Sequence, residues 1–310
     1  MTAPALGIAC AVVTCLAWGV ADYLAARVTR RVGEIGALLR IQLVGVPVLL
    51  SLWAILRAPL PDTRDLVWIT PAAGCFVVGY LAFFYGLRVG AISLVSPISS
   101  AGAAVPVLAG IGFFGEAASG ARLGGIGLTL IGICVLSADP GAIGALAPIG
   151  RRQGIRAGVV TLLAWGSGTA LLLPAVRSAG AFVPVATLRL EVLAIISTWW
   201  LIGRSRSSGT PREPASSASV AAPRAEPRNG LWGVVVAAAL LDLTAFFAYG
   251  VALRDAPAAV AAPIASAYPL VTILIARHRL QERLAGREWL GVGLTLAGVG
   301  LLGTGCCETP

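Results

Sequence analysis

Lysine is absent from this 310-residue chain, and histidine and methionine occur once each. Charged residues make up only 12% of the composition, about half their share in an ordinary soluble domain. The single histidine, His278, has no set of partners with zinc-type spacing. No P-loop pattern occurs, which argues against direct ATP drive. No G-x-S-x-G elbow occurs either, which argues against hydrolytic chemistry of that kind. Six cysteines are present, but Cys10, Cys15, Cys75 and Cys134 sit inside apolar stretches as small packing residues, and Cys306-Cys307 close the C-terminal end. No metal site, cofactor or disulfide framework is expected.

What the chain does have is hydrophobic length. Hydrophobic residues make up 57% of it, gathered into runs that reach the roughly 20 residues needed to cross a bilayer. The pattern predicts helices near 5–26, 33–56, 66–87, 91–113, 120–138, 155–176, 181–203, 231–253, 257–277 and 287–304. The first apolar run is too long for a signal-peptide core and lacks a basic flank, which identifies it as a span. Two polar segments interrupt the series. One, 139–154, carries Asp139-Pro140-Gly141 and Arg151-Arg152; the other, 204–229, is rich in Ser, Pro, Ala and Arg and reads as a flexible insertion.

The net charge of +9 comes from arginine alone. The arginines cluster in loops: Arg27, Arg30 and Arg31, then Arg151, Arg152 and Arg156, then 204–228, then Arg277 to Arg287. That distribution fits a membrane protein and not a nucleic-acid partner, whose basic residues would share one face. With ten spans all four loops lie on one side. The positive-inside rule then puts them in the cytoplasm and both termini outside. Arginine in place of lysine, with abundant Ala and Gly, is the composition of a GC-rich genome and points to a bacterial inner membrane.

The two halves repeat. Pro97-Ile98-Ser99-Ser100-Ala101 returns as Pro263-Ile264-Ala265-Ser266-Ala267, and the same spacing leads from each proline to Glu116 and Glu282. Gly125, Gly127-Leu128-Thr129-Leu130 and Gly132 return as Gly291, Gly293-Leu294-Thr295-Leu296 and Gly298 without a gap. Five spans per half would invert the second half relative to the first, the arrangement by which many transporters enclose a site between pseudo-symmetric bundles.

These motifs, with Trp18-Gly19 and Trp165-Gly166 in the first helix of each half and Arg40 and Arg189 in the second, resemble the EamA domain of the drug/metabolite transporter superfamily. The resemblance covers roughly 5–138 and 155–304. It implies an all-α integral membrane fold of about ten transmembrane helices in two inverted five-helix repeats. It also implies alternating-access transport of a small metabolite or drug, no enzymatic activity, and termini in the cytoplasm, against the arginine count. Tyr268-Pro269 follows the pattern of that family, whereas Gly102-Ala103 departs from it.

Polar groups within the hydrocarbon are functional candidates by default. Arg40 and Arg189 are treated as corresponding positions; each is either a structural or snorkelling cation or a cavity-facing one. Asp22, Glu191 and Asp242 are the candidate partners and proton carriers, Asp242 first by its depth and Asp22 second. Glu191 stands two residues from Arg189, on a different face. Trp18 and Trp165 would wall a cavity for an apolar or cationic solute, or anchor helices. Pro97 and Pro263 would kink their helices and leave carbonyls beside Ser100 and Ser266. Glu116 and Glu282 read as loop-bonding residues. The expected activity is secondary transport of a small organic solute across the cell membrane, with protons as the candidate coupling ion. A flippase for a lipid or lipid-linked sugar is the alternative, and an intramembrane lipid-modifying enzyme ranks below both.

Overall fold

The computed structural model describes residues 3–90, 92–113, 120–137, 149–180, 182–206, 230–255, 264–265, 267–280 and 285–304. The described chain is built from helices: α1 (Ala3–Leu56), α2 (Thr63–Val89), α3 (Ile92–Ser100), α4 (Ala104–Phe113), α5 (Gly120–Ser137), α6 (Ile149–Ala179), α7 (Phe182–Arg206), α8 (Gly230–Asp255), α9 (Tyr268–Leu280) and α10 (Gly286–Thr304), with a 3-10 turn at Ala101–Ala103. Pro263, Ser266, Glu116, Glu282, the terminal cysteines and most of the 204–229 insertion lie outside the described residues.

Gly33 and Gly180 set the topology. A straight helix of 54 residues would run about 80 Å, well over twice the hydrocarbon thickness. Instead α1 breaks at Gly33, where φ is 73° and ψ is 173°, a conformation that glycine reaches without a Cβ penalty. The chain folds back there. Thr14 and Gly45, on opposite limbs, both meet α8 within Leu243–Ala245. Gly180, with φ 74°, makes the same turn between α6 and α7. The Gly33 tip lies at the end of the bundle where α2 finishes and α6 begins: the Arg30 Nε donates to Leu87 O at 3.0 Å, Arg88 pairs with Glu34 at 2.7 Å, and Gly90 abuts Gly154. The Gly180 tip lies at the other end, where Ser178 Oγ donates to Asp65 at the start of α2 at 2.6 Å. The two hairpins therefore point in opposite directions, as inverted repeats require.

The halves are interwoven. The dominant helix pairings are α1 with α8, α2 with α6 and α5 with α10, each joining one half to the other. Along the first limb of α1, Ala11, Thr14, Ala17, Ala21 and Ala25 are buried while Leu6, Ile8, Val12, Val13 and Leu16 are exposed. Small residues inside and large apolar ones outside is the membrane arrangement, in which close backbone approach replaces a hydrophobic drive between helices. Five described segments are long and apolar enough to cross a membrane by length and composition: Ala5–Leu56, Thr63–Val89, Gly150–Val176, Phe182–Ile202 and Gly230–Tyr249. Leu123–Val135 and Trp289–Leu301 are shorter apolar helices.

Two boundaries differ from the sequence expectation. Residues 149–154, expected in the connecting loop, are the first turns of α6; Gly150 and Gly154 let them pack against the end of α2, and that contact outweighs the local arginine pair. The span expected at 91–113 is two helices. Its break falls at Ala101–Ala103 and not at Pro97, because Ser100 Oγ takes up the Pro97 carbonyl at 2.9 Å and Gly102 allows the turn to approach Leu162 of α6.

Candidate functional site

Trp18 and Asp22 stand one helical turn apart on the inner face of α1, which also carries the buried residues Thr14, Ala21 and Ala25. The indole of Trp18 meets Phe246 and Tyr249 of α8 at centroid distances of 5.4 and 5.6 Å, and Tyr268 of α9 at 5.8 Å. Asp22 Oδ2 accepts the Ser96 hydroxyl of α3 at 3.1 Å. Trp165 does in the second half what Trp18 does in the first: it meets Tyr80 at 5.3 Å and Phe83 at 4.9 Å, both on α2. The spacing that relates Pro97 to Pro263 also relates Tyr80 to Phe246 and Phe83 to Tyr249. Each tryptophan thus inserts into equivalent rings of the opposite half.

Further pairs obey the same relation. Thr14 Oγ1 lies 3.3 Å from Ala245 O, and Thr161 Oγ1 lies 3.4 Å from Gly79 O. A Cβ at Gly19 would overlap Val271, and one at Gly166 would overlap Val105. Gly132 rests on Thr295, and Gly298 on Thr129. The internal symmetry is carried by contacts as well as by sequence.

Arg189 lies at its centre. The spacing that takes Trp18 to Trp165, and Gly33 to Gly180, takes Gln42 to Arg189. These two equivalents touch, with Arg189 Nη1 donating to Gln42 Oε1 at 3.1 Å. The guanidinium sits over both equivalent rings, 4.5 Å from Phe246 and 5.5 Å from Tyr80. Its Nη2 donates to Asp242 Oδ2 at 2.6 Å. A side chain bonded to its own counterpart and stacked between two counterpart rings occupies the pseudo-two-fold axis. The correspondence of Arg40 with Arg189 drawn from sequence is therefore two residues out of register. Arg40 corresponds to Thr187, because the two positive-φ glycines fix the hairpin tips.

The burial of this ion pair is uneven: Arg189 is 3% exposed and Asp242 21%. On α8 the outward stripe is Trp232, Val236 and Leu240, whereas Val235, Ala238, Ala239 and Ala245 are buried. Asp242 falls on the buried stripe by helical spacing. Its exposure thus opens toward the interior of the bundle. Trp18, Asp22, Tyr80, Trp165, Phe246, Tyr249 and Tyr268 are likewise neither fully buried nor fully exposed. Asp22 feels the charge of Asp242, and Tyr80 feels Arg189 and both acids. Two carboxylates and one guanidinium share the interior.

The structure brings together Trp18, Asp22, Arg189, Asp242 and Tyr268, with Trp165 in the equivalent box. It does not bring in four others. Arg40 lies on the outward stripe of α1 with Pro47 and Ser51, and its Nη1 returns to Gly36 O of its own helix at 2.8 Å, as a snorkelling cation does. Glu191 is half-buried on the side of α7 that carries Ile195; one carboxylate oxygen accepts from Thr70 Oγ1 of α2 at 3.1 Å and the other is buried, away from Arg189. Ser100 is buried with its hydroxyl on the Pro97 carbonyl. Pro97 is buried within α3. The depth-based ranking also changes, since Asp242 is committed to Arg189 while Asp22 has no cationic partner among the described residues. Sequence reasoning missed Gln42, Tyr80, Ser96, Phe246 and Tyr249. The repeat spacing, applied to Arg189, would have found Gln42.

The sequence profile of the EamA-like transporter family matches residues 5–138 and 152–304, one match per half. The chain belongs to the EamA-like transporter family. It is thereby a multi-pass membrane transporter of the drug/metabolite type. A solved structure described only as "Crystal structure of protein" shares the fold, with a TM-score of 0.60 at 17% sequence identity, covering 96% of this chain and 96% of that one. A search of curated proteins gives no match. The candidate site lies where the two matched halves meet.

Proposed function

We propose that this chain is a secondary transporter that moves a small organic solute across the cell membrane by alternating access around Arg189, with a proton as the coupling ion exchanged at Asp22. The observation that carries the reading is the convergence of both inverted halves on one polar centre, where Gln42 meets Arg189 and the rings of Tyr80 and Phe246 flank it. Inverted repeats supply two near-equivalent packings of one set of helices, and rocking between them exposes a fixed site to either side. The Arg189–Asp242 pair is held through the cycle as structural charge, leaving Asp22 to gain and lose the proton. The groups facing Asp22 are Ser96 from α3, Tyr268 from α9, Asp242 from α8 and Tyr80 from α2. Export from a bacterial inner membrane is the direction a proton gradient would drive for such an exchange.

Everted membrane vesicles containing the chain test this. After the proton gradient is set up, addition of a transported solute releases protons, read by a pH-sensitive dye, and Asp22→Asn abolishes the release. Metabolites shed by cells making the wild-type chain or Asp22→Asn supply the solute candidates. Vesicles in which no solute moves, while labelled lipids cross between leaflets faster than in empty vesicles, would instead establish the flippase.

A further inference from the structure

Outside the chamber, the seam between α2 of the first half and α7 of the second carries a polar pair that its symmetry counterpart lacks. Glu191 Oε1 accepts from Thr70 Oγ1 at 3.1 Å, while Oε2 is buried with no hydrogen-bond partner. The spacing that relates Gln42 to Arg189 also relates Val44 to Glu191. The spacing that relates Tyr80 to Phe246 also relates Thr70 to Val236. The counterpart seam, between the second limb of α1 and α8, therefore has two valines at the places where this one has an acid and a hydroxyl. Packing of the repeats does not by itself require a polar pair there.

Glu191 also lies deep. It is near the middle of the apolar span Phe182–Ile202; Val192 and Ile196 beside it are buried, and Ile195, one turn on, is 38% exposed. Arg189 is turned to Gln42 and Asp242 instead. Helices α1, α2 and α6 pack on α7. Among the described residues the polar group acting on Glu191 is the Thr70 hydroxyl, with no cation and no second acid. An ionised carboxylate at that depth, with one oxygen unmet, costs far more than the neutral acid, and such a group takes up a proton instead. A proton needs no cavity, removes the charge, and suits an oxygen that no other group reaches.

We infer that Glu191 is a proton-binding site separate from the chamber, its carboxyl held as the neutral acid in the seam where α2 and α7 of opposite halves meet. The site goes beyond the transport reading above and does not rest on Asp22.

The test is infrared spectroscopy of the purified full-length chain at neutral pH, in a detergent without ester carbonyls. The difference between the chain and its Glu191→Gln variant reads the carbonyl stretch of a protonated carboxyl. A band lost in Glu191→Gln is expected, and the same loss when both chains also carry Asp22→Asn. Thr70→Val should keep the band and move it to higher frequency, because the carbonyl then loses its hydrogen bond. Thermal unfolding checks that each variant is folded. If Glu191→Gln is not, labelling of the wild-type chain in lipid nanodiscs by dicyclohexylcarbodiimide, an apolar reagent for protonated carboxyls, decides. The acid's O–H adds across one C=N bond, its proton going to nitrogen and its oxygen to the central carbon, and the adduct rearranges to a stable N-acylurea with no leaving group. Peptide mass spectrometry should find that adduct on Glu191, and a water-soluble carbodiimide should leave Glu191 unmodified. The site is disproved if a folded Glu191→Gln leaves the carbonyl region unchanged, or if Thr70→Val leaves the band where it was. In the labelling arm it is disproved if Glu191 stays unmodified or if the soluble reagent modifies it as readily. The band without solute-driven proton flux would sustain this site and remove the transport reading. Flux that Asp22→Asn abolishes, without the band, would do the reverse.

Discussion

Trp18 and Trp165 occupy equivalent places, and their surroundings differ in one instructive way. Both insert into two aromatic rings of the opposite half at matching positions. Beside Trp18 stand Asp22 and Tyr268; beside Trp165 the same positions hold Thr169 and Gly102. Packing between helices depends on the shape of small residues and backbones, and it has stayed symmetric. Chemistry depends on single polar groups, and it has diverged. A duplicated fold can thus keep symmetric helix packing while its two equivalent aromatic boxes carry different polar groups.

The sharpest way to break this comparison is at the axis. Arg189→Ala removes the cation from a buried pair and leaves Asp242 uncompensated, an expected loss of about 3–5 kcal/mol, read as a lowered unfolding midpoint in detergent. Arg189→Gln with Asp242→Asn should regain much of that, since the axis would then hold two equivalent amides, Gln42 and its counterpart. A double variant no more stable than Arg189→Ala would mean that the pair is not the cause. Next come the close helix contacts. Gly19→Val and Gly166→Val each force a side chain into a valine of the other half, and each should cost about 1–3 kcal/mol. The comparison predicts equal losses; a silent substitution on one side would end the claim of symmetric packing.

Smaller effects sharpen it. Thr14→Val and Thr161→Val remove equivalent hydroxyls that bond within their own helix and face a carbonyl of the opposite half. Each should lower stability by about 0.6 kcal/mol, the average found for side-chain bonds between membrane helices. Glu34→Ala comes last. It breaks the pair with Arg88, in which the arginine is 42% exposed, and should cost no more than about 0.5 kcal/mol. Alanine is already the residue at the equivalent place, Ala181. A large loss would show that the arginine-rich end of the first half is held closed by this contact.

The fold was legible because its signals are local or repeated. Runs of apolar residues announce spans, and a repeat without gaps announces duplication. Positions of helix ends were less so: the first turns of α6 are helical because Gly150 and Gly154 meet the end of α2, a contact that no local window contains. The site was half legible. Asp22, Arg189 and Asp242 declare themselves as charges in apolar sequence, at a cost only a function or a partner offsets. Glu191 and Arg40 declare themselves the same way and yet bond elsewhere, to Thr70 and to Gly36, because the expense of a charge says nothing about which side of its helix it occupies. Gln42 and Tyr80 were missed for the opposite reason. Neither is unusual in a membrane helix until it is seen against a buried guanidinium.

By itself the sequence determined that this chain lies in a membrane, that it is duplicated, and to which family it belongs, since hydropathy, spacing and motif order are properties of the chain alone. Only the tertiary structure decided which charges meet. Asp242 is bound to Arg189, Asp22 is left without a cation among the described residues, and Arg189 is held against its own counterpart. Those pairings join residues far apart in the chain, and they follow from how two inverted hairpins cross, with the left-handed turns at Gly33 and Gly180 setting the register.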